Sequence, residues 1–188
     1  MGRRRATAAC LLATAASLGL SACDPSEKAG VGESRREGLD LSAGGIDYNV
    51  FLTRQLNPRV VPDKAYYKGP DPGKDANLYG VFLQACNNGE KPLPTAEQFS
   101  VVDNQGNKFE PMELPKDNAF AYHPTRLQPD QCIPEAGSVA QLGPTAASLL
   151  LFKLPLSNSE NRPLDLEIES PYDVAKAKRE TLKVELDL

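Results

Sequence analysis

Apolar positions in this chain fall into two kinds of run. Leu78 to Ala85, LYGVFLQA, is an almost unbroken apolar stretch that predicts a buried central strand, and Ser148 to Leu154, SLLLFKL, is a second run of that kind and length. Leu164, Leu166 and Ile168 instead alternate with Asp165, Glu167 and Glu169, and Leu182, Val184, Leu186 and Leu188 repeat that period at the end of the chain. Alternation of this sort predicts strands with one face in the core and one in water. A mostly apolar first strand is predicted from Ile46, where Tyr48, Val50 and Leu52 alternate with Asn49, Phe51 and Thr53 before Leu56-Asn57-Pro58 ends it.

Turn chemistry separates these runs. Asn87-Asn88-Gly89-Glu90 follows the first central strand, and DNQGNK lies between Phe99-Val101 and Phe109 as a hairpin signature in which Gly106 supplies the positive φ angle. The stretch VVPDKAYYKGPDPGKDAN predicts a long loop, since its Pro, Gly and charged residues break any period. Asp173 to Glu180, DVAKAKRE, is expected from its charges to be an exposed connection, with a helical turn as the alternative. With 16 prolines and no long helical period, residues 46–188 are expected to form one all-β domain, an antiparallel sandwich of about seven to eight strands.

The N-terminal region has a different pattern. Arg3, Arg4 and Arg5 precede an uncharged run from Ala6 to Leu20, the layout of an export signal. As a helix that run spans only about 22 Å, short of the ~30 Å hydrocarbon core, which argues against a permanent transmembrane segment. It ends in Leu20-Ser21-Ala22-Cys23, which resembles the bacterial lipobox. The resemblance implies that residues 1–22 are a lipoprotein signal peptide, that Cys23 becomes the lipidated first residue of the mature chain, and that diacylglycerol holds the protein stably on a membrane. Asp24 resembles the signal that retains some lipoproteins on the inner membrane of double-membraned bacteria. An ordinary secretory cleavage after Ala22, leaving Cys23 unmodified, is the plainer alternative.

Residues 24–45 are rich in Gly, Ser and mixed charge, so residues 23–45 are expected to act as a lipidated, disordered tether. Arg35 and Arg36 are flanked by Glu33 and Glu37, which cancels most attraction to anionic lipid. Loss of the signal lowers the basic count from 21 to 18 against 25 acidic residues, a balance that argues against nucleic acid and against a polybasic membrane face. With Cys10 in the signal and Cys23 lipidated, Cys86 and Cys132 remain as a pair in an oxidising compartment. A disulfide between them is expected; two unpaired thiols are the alternative.

The order LYGVFLQACNNGEKPLPTAEQFSVVDNQGNKFEP, PEAGSVA, SLLLFKLP, LDLEIES and TLKVELDL resembles the immunoglobulin-like domain of unassigned function found in bacterial extracellular lipoproteins, related in fold to the secreted immunoprotective-antigen superfamily. Asn87 to Leu93, Asp103 to Phe109 and Glu135 to Val139 stand where that family has its turns, although Glu135-Ala136-Gly137 replaces the more usual Pro-Gly. The resemblance implies an immunoglobulin-like fold in an extracellular setting and carries no catalytic residue across.

Candidate chemistry is sparse. The chain has one histidine, His123, read as a loop residue before Pro124, and no Gly-x-Ser-x-Gly elbow or Gly-rich phosphate loop. Two cysteines with one histidine make no zinc pattern. Asp71 and Asp75 lie in a Pro/Gly loop where carboxylates are ordinarily solvated, and the oxygen-rich Asp103 to Asn107 stretch lacks the later Glu of an EF-hand, so a hairpin explains it more simply than calcium. No catalytic residue, cofactor or metal is therefore expected. The predicted role is that of a membrane-anchored, extracytoplasmic, monomeric, non-enzymatic module that meets an envelope protein through Tyr66, Tyr67, Tyr122 and Arg126. In the alternatives, those tyrosines pack the core, or they line a small-ligand pocket between the long loops.

Overall fold

The computed structural model describes residues 34–188. The signal peptide, Cys23 and the first part of the expected tether lie outside the described residues. Twelve strands follow in order, β1 (Ser34–Arg36), β2 (Asp40–Ala43), β3 (Ile46–Leu56), β4 (Ala76–Cys86), β5 (Leu93–Pro94), β6 (Gln98–Val102), β7 (Lys108–Phe109), β8 (Arg126–Leu127), β9 (Cys132–Ile133), β10 (Ser148–Pro155), β11 (Asp165–Glu169) and β12 (Thr181–Glu185). Two single helical turns, α1 (Asp63–Tyr66) and α2 (Leu156–Ser159), interrupt the connections. α1 lies inside the segment expected to be a loop throughout.

One sheet runs β1-β12-β11-β6-β7 and the other β10-β4-β3-β2, with β9 continuing β10's edge of β4 and a separate β5-β8 ribbon. All pairings between these strands are antiparallel except β1 with β12, and an isolated parallel bridge joins Ala121 to Leu149 of β10. Seven strands carry the immunoglobulin arrangement, with β10, β4 and β3 in the places of E, B and A and β12, β11, β6 and β7 in those of G, F, C and C′. The expected sandwich is present. Its count exceeds the predicted seven to eight because β1, β2, β5, β8 and β9 are short additions of two to four residues.

The inner faces of the two sheets form the larger core, in which Tyr48, Val50, Leu83 and Phe152 meet Val101, Leu166, Ile168 and Val184. On the outer side of β11, Glu167 accepts from Lys108 of β7 and from Lys183 of β12, the latter at 3.0 Å. Burial raises the Glu167 carboxyl's affinity for a proton, but these two ammonium groups outweigh it and hold its pKa below the usual value. This outer face is polar, as the alternation predicts, but Glu167 itself is buried beneath its two lysines. The DNQGNK hairpin also forms: Val101 and Val102 pair with Phe109 and Lys108, and Gly106 takes φ +83°.

The domain begins earlier than residue 46, which corrects the expected tether. Ser34, Arg35 and Arg36 lie parallel to Lys183, Val184 and Glu185, and β2 pairs with the start of β3, burying Ala43. Glu37 accepts from the backbone N–H of Thr53 at 3.1 Å and of Asp187 at 3.2 Å. Polar edge strands of this kind are held by backbone pairing, so their side chains carry no apolar period.

Candidate functional site

β4 and β10 are apolar on both faces, and one sheet can cover only one of them. Leu56, Leu78, Phe82, Leu149 and Leu151 form a second core on the outer side of the β10-β4-β3 sheet. Residues 57–75 and 111–121 supply its cover through Tyr66, Tyr67, Met112, Leu114 and Phe120. Tyr66 meets Phe82 edge-on with ring centroids 5.1 Å apart and Phe120 at 4.8 Å. Even Gly80 of β4 is closely packed, since a Cβ there would lie 3.0 Å from Leu149, Leu56 and Phe82 side chains.

Polar bonds fix this cover in place. The Arg54 guanidinium lies 6.0 Å from the Tyr66 ring centroid and 5.7 Å from that of Phe82 while donating to the buried Asp63 carboxylate. Asp63 also accepts from the Asn57 N–H at 2.8 Å. Burial pushes the Asp63 carboxyl up, but Arg54 and the Asn57 amide more than offset it and leave its pKa below the ordinary value. Asn118 donates to the Tyr66 carbonyl at 2.9 Å, tying the two covering segments together.

Tyr66, Tyr67, Tyr122 and Arg126 therefore do not make one binding surface. Tyr66 is 1% exposed and Tyr67 8%, both packed on the outer core. Tyr122 is 7% exposed and belongs to the inner core on the other side of the sheet. Arg126 is exposed in β8 of the β5-β8 ribbon, where it pairs with Pro94 and donates to the Pro92 carbonyl at 3.0 Å. The reading in which the tyrosines pack the core is the one the structure bears out. Its physical reason is the doubly apolar sheet beneath them.

Tyr122 has a specific task there. Its hydroxyl donates to the Ala96 carbonyl at 3.0 Å, and the Tyr48 hydroxyl accepts from the Ala96 N–H at 2.6 Å, so two buried phenols clamp one residue, through both its flanking peptides, in the segment entering β6. Burial pushes the Tyr48 pKa up to about 12 despite its hydrogen bonds, and burial followed by the neighbouring Tyr48 pushes that of Tyr122 up as well. Both remain neutral and serve as hydrogen-bonding wedges.

Among the described residues, crevices open on the loops, and three of them bear on the predicted surface. The first, of about 520 Å³, lies between residues 65–70 and 112–120 and is lined by Tyr67, Pro70, Met112, Leu114 and Phe120. A second of about 340 Å³ sits across the 111–116 segment, beside Tyr122 and His123. The third, of about 580 Å³, is polar and flanks the disulfide, with Gln84, Arg126, Asp130 and Gln141 on its walls. Cys86 and Cys132 form that disulfide, 46 residues apart in sequence, and they are partners in the β4–β9 pairing.

Asn87, next to Cys86, was legible only as part of a turn. It is fully buried and donates through its side chain to the carbonyls of Lys91 at 2.8 Å and Leu127 at 3.0 Å, while its own carbonyl oxygen Oδ1 accepts from the Gly89 N–H. A buried amide that satisfies three loop groups at once organises the loops around the third crevice. The signal for it is its place immediately after an apolar strand and ahead of Gly89.

Asp103 is the other hub. Its carboxylate accepts from the backbone N–H groups of Gln105 at 3.0 Å and Asn107 at 2.8 Å, and from the side-chain amides of Asn107, Asn158 and Asn161 at 2.8, 3.0 and 3.1 Å. Burial alone would raise its pKa, yet the three asparagines and the Asn107 N–H hold it far below the ordinary carboxylate range. These donors explain the oxygen-rich stretch without calcium. A depressed folded pKa means that the contribution to stability is complete above the unfolded value near 4 and is lost as pH falls below it toward the folded value. Asp103→Asn is therefore expected to melt below the wild type at pH 7, with the gap narrowing at about pH 2 to 3. A gap that stays constant across that range would remove the carboxylate from the account.

Among the described residues, no group of three or more His, Cys, Asp and Glu side chains is placed to hold a metal ion, and no helix is long and apolar enough to cross a membrane. The fold defines an all-β sandwich with immunoglobulin strand order. No protein-family model matches the chain, and no curated protein matches it. Among solved structures it aligns with the yjhA protein from Bacillus subtilis at a TM-score of 0.47 and 11% identity, over 81% of this chain and 99% of that one.

Proposed function

We propose that the protein is a lipoprotein of the cell membrane, anchored through Cys23, whose sandwich stands on the extracytoplasmic side as a non-enzymatic interaction module. The observation that carries this reading is the Cys86–Cys132 disulfide. A bridge between these two cysteines belongs to an exported chain, and it accounts for the cysteines that a lipidated Cys23 and a removed signal leave over. With the tyrosines committed to packing, the surface offered to an envelope protein is narrower than the sequence predicts. It centres on Arg126 and the polar crevice beside the disulfide, where loop backbones are already fixed by Asn87.

The test is metabolic labelling with palmitate, followed by fractionation. Native chain is expected to label and to sediment with membranes, and Cys23→Ala to lose both properties. Label retained by Cys23→Ala would refute the anchor.

A second reading is favoured by the 520 Å³ crevice, whose apolar lining and framework held by Asn118 suit a small apolar ligand. Tyr67 is the one tyrosine of the predicted surface on its wall. A metabolite that raises the melting temperature and loses that effect in Met112→Lys would select this reading.

A further inference from the structure

The connection between β11 and β12, residues 170–180, is more than a solvated turn. Tyr172 is 54% exposed and Val174 is 84% exposed, two large apolar side chains held out from the end of the sandwich. The hairpin is closed by reciprocal backbone hydrogen bonds between Asp173 and Lys178, and Ala177 adopts φ +50° at its bend.

Its charges are sorted. The carboxylate of Asp173 accepts from the N–H groups of Ala175 and Lys176 at 2.9 and 3.1 Å. That of Glu180 is turned back to the Gly44 N–H at 2.9 Å and to Lys176 at 3.0 Å. The acidic groups are thus engaged with backbone and with Lys176, while Lys178 and Arg179 are exposed beside the apolar tip. Among the described residues, Arg179 reaches the Ser170 carbonyl at 3.5 Å and Gln98 at 3.4 Å, both long contacts.

The position of the N-terminus gives this hairpin a partner. β1 runs parallel to β12 with Ser34 opposite Lys183, two residues beyond the start of β12. The N-terminal end of β1, at Ser34, therefore lies at the end of the sandwich that carries residues 170–180. Ten residues, 24–33, separate Cys23 from Ser34, a span of at most about 40 Å when taut. Val60 and Val61, 50% and 85% exposed, sit at the opposite end beyond β3. For them to face the bilayer, the tether would have to double back along the whole length of β3 and β4.

We infer that the 170–180 hairpin is a membrane-contact loop, with Tyr172 and Val174 entering the interfacial layer of the bilayer that holds the Cys23 lipid and with Lys178 and Arg179 against its anionic phosphates. This inference rests on the anchored-lipoprotein reading. Tyrosine suits the site because its ring is apolar and its hydroxyl can remain among the headgroups. The contact fixes how the sandwich is presented: the hairpin faces lipid, and the 57–75 and 156–163 connections face outward.

The test is a photo-crosslinking amino acid placed singly at Tyr172, Val174 or Val61 of the full chain in its own membrane, with adducts identified by mass spectrometry. Phospholipid adducts are expected at Tyr172 and Val174 and only background at Val61. Lys178→Glu with Arg179→Glu should lower the adduct at Val174 about fivefold or more, the factor expected for each basic residue at an anionic surface. Equal lipid yields at all three positions, or a reproducible protein adduct at Tyr172 and Val174 in place of lipid, would overturn the inference while leaving the anchor intact. If Cys23→Ala stays with the membrane, the anchored-lipoprotein reading fails instead, and the inference that rests on it falls too.

Discussion

Replacing both Cys86 and Cys132 by alanine is expected to lower the stability of the domain by about 4 kcal/mol, because the bridge closes a loop of 46 residues in the unfolded chain. For a domain of this size that corresponds to a fall of roughly 8–16 °C in melting temperature. Reductant should produce most of the same fall in the native chain and none in the double variant. The bridge also holds β9 against the end of β4, so its loss frees the wall of the polar crevice. Hydrogen exchange should rise first in residues 126–141. A double variant that melts with the native protein would show that the unfolded chain gains little freedom when the bridge is cut.

The second large effect is expected at Tyr66. Truncation to alanine removes a ring that is 1% exposed and wedged between Phe82 and Phe120. Aromatic truncations in cores cost about 3–5 kcal/mol, and the cavity would open directly beneath the Arg54 guanidinium. Arg126→Ala, at an exposed position, should stay within about 0.5 kcal/mol of the native protein. Urea denaturation of the two variants separates the roles that the sequence assigns to them jointly. If Tyr66→Ala were as stable as Arg126→Ala, the outer core would not be a core.

These two tyrosine and arginine positions also show where sequence reading stopped. β4, β10, β11 and β12 were legible because burial of side chains writes itself as a run or an alternation. The β6–β7 hairpin was legible because Gly106 satisfies a backbone requirement that few residues meet. β1 and β2 were hidden: Arg35, Arg36 and Glu37 look like a solvated tether, and nothing in their side chains records that the backbone pairs with β12. The burial of Tyr66 and Tyr67 was hidden in a Pro/Gly segment whose own composition reads as a loop. A clue lay elsewhere, in LYGVFLQA and SLLLFKL. Strands apolar on both faces demand two covers, and the opposite sheet supplies one. The long loops had to be the other.

The candidate site followed the same division. Cys86 and Cys132 were found by counting, since few partners were available. The clamp of Tyr48 and Tyr122 on Ala96, and the amide hub of Asn87, join segments far apart in sequence through single polar atoms. No local period marks such contacts; only the assembled sandwich brings them together.

The pairing of β1 with β12 has a consequence for the timing of assembly. The first strand of the described domain finds its neighbour only when the last has been made. At ribosomal rates of 5–20 residues per second, Ser34 waits roughly 7–30 s for Lys183. Throughout that interval Ser34, Arg35 and Arg36 lack the strand they pair with. Completion of the chain then closes that edge, so the last strand made is the one that fixes the first.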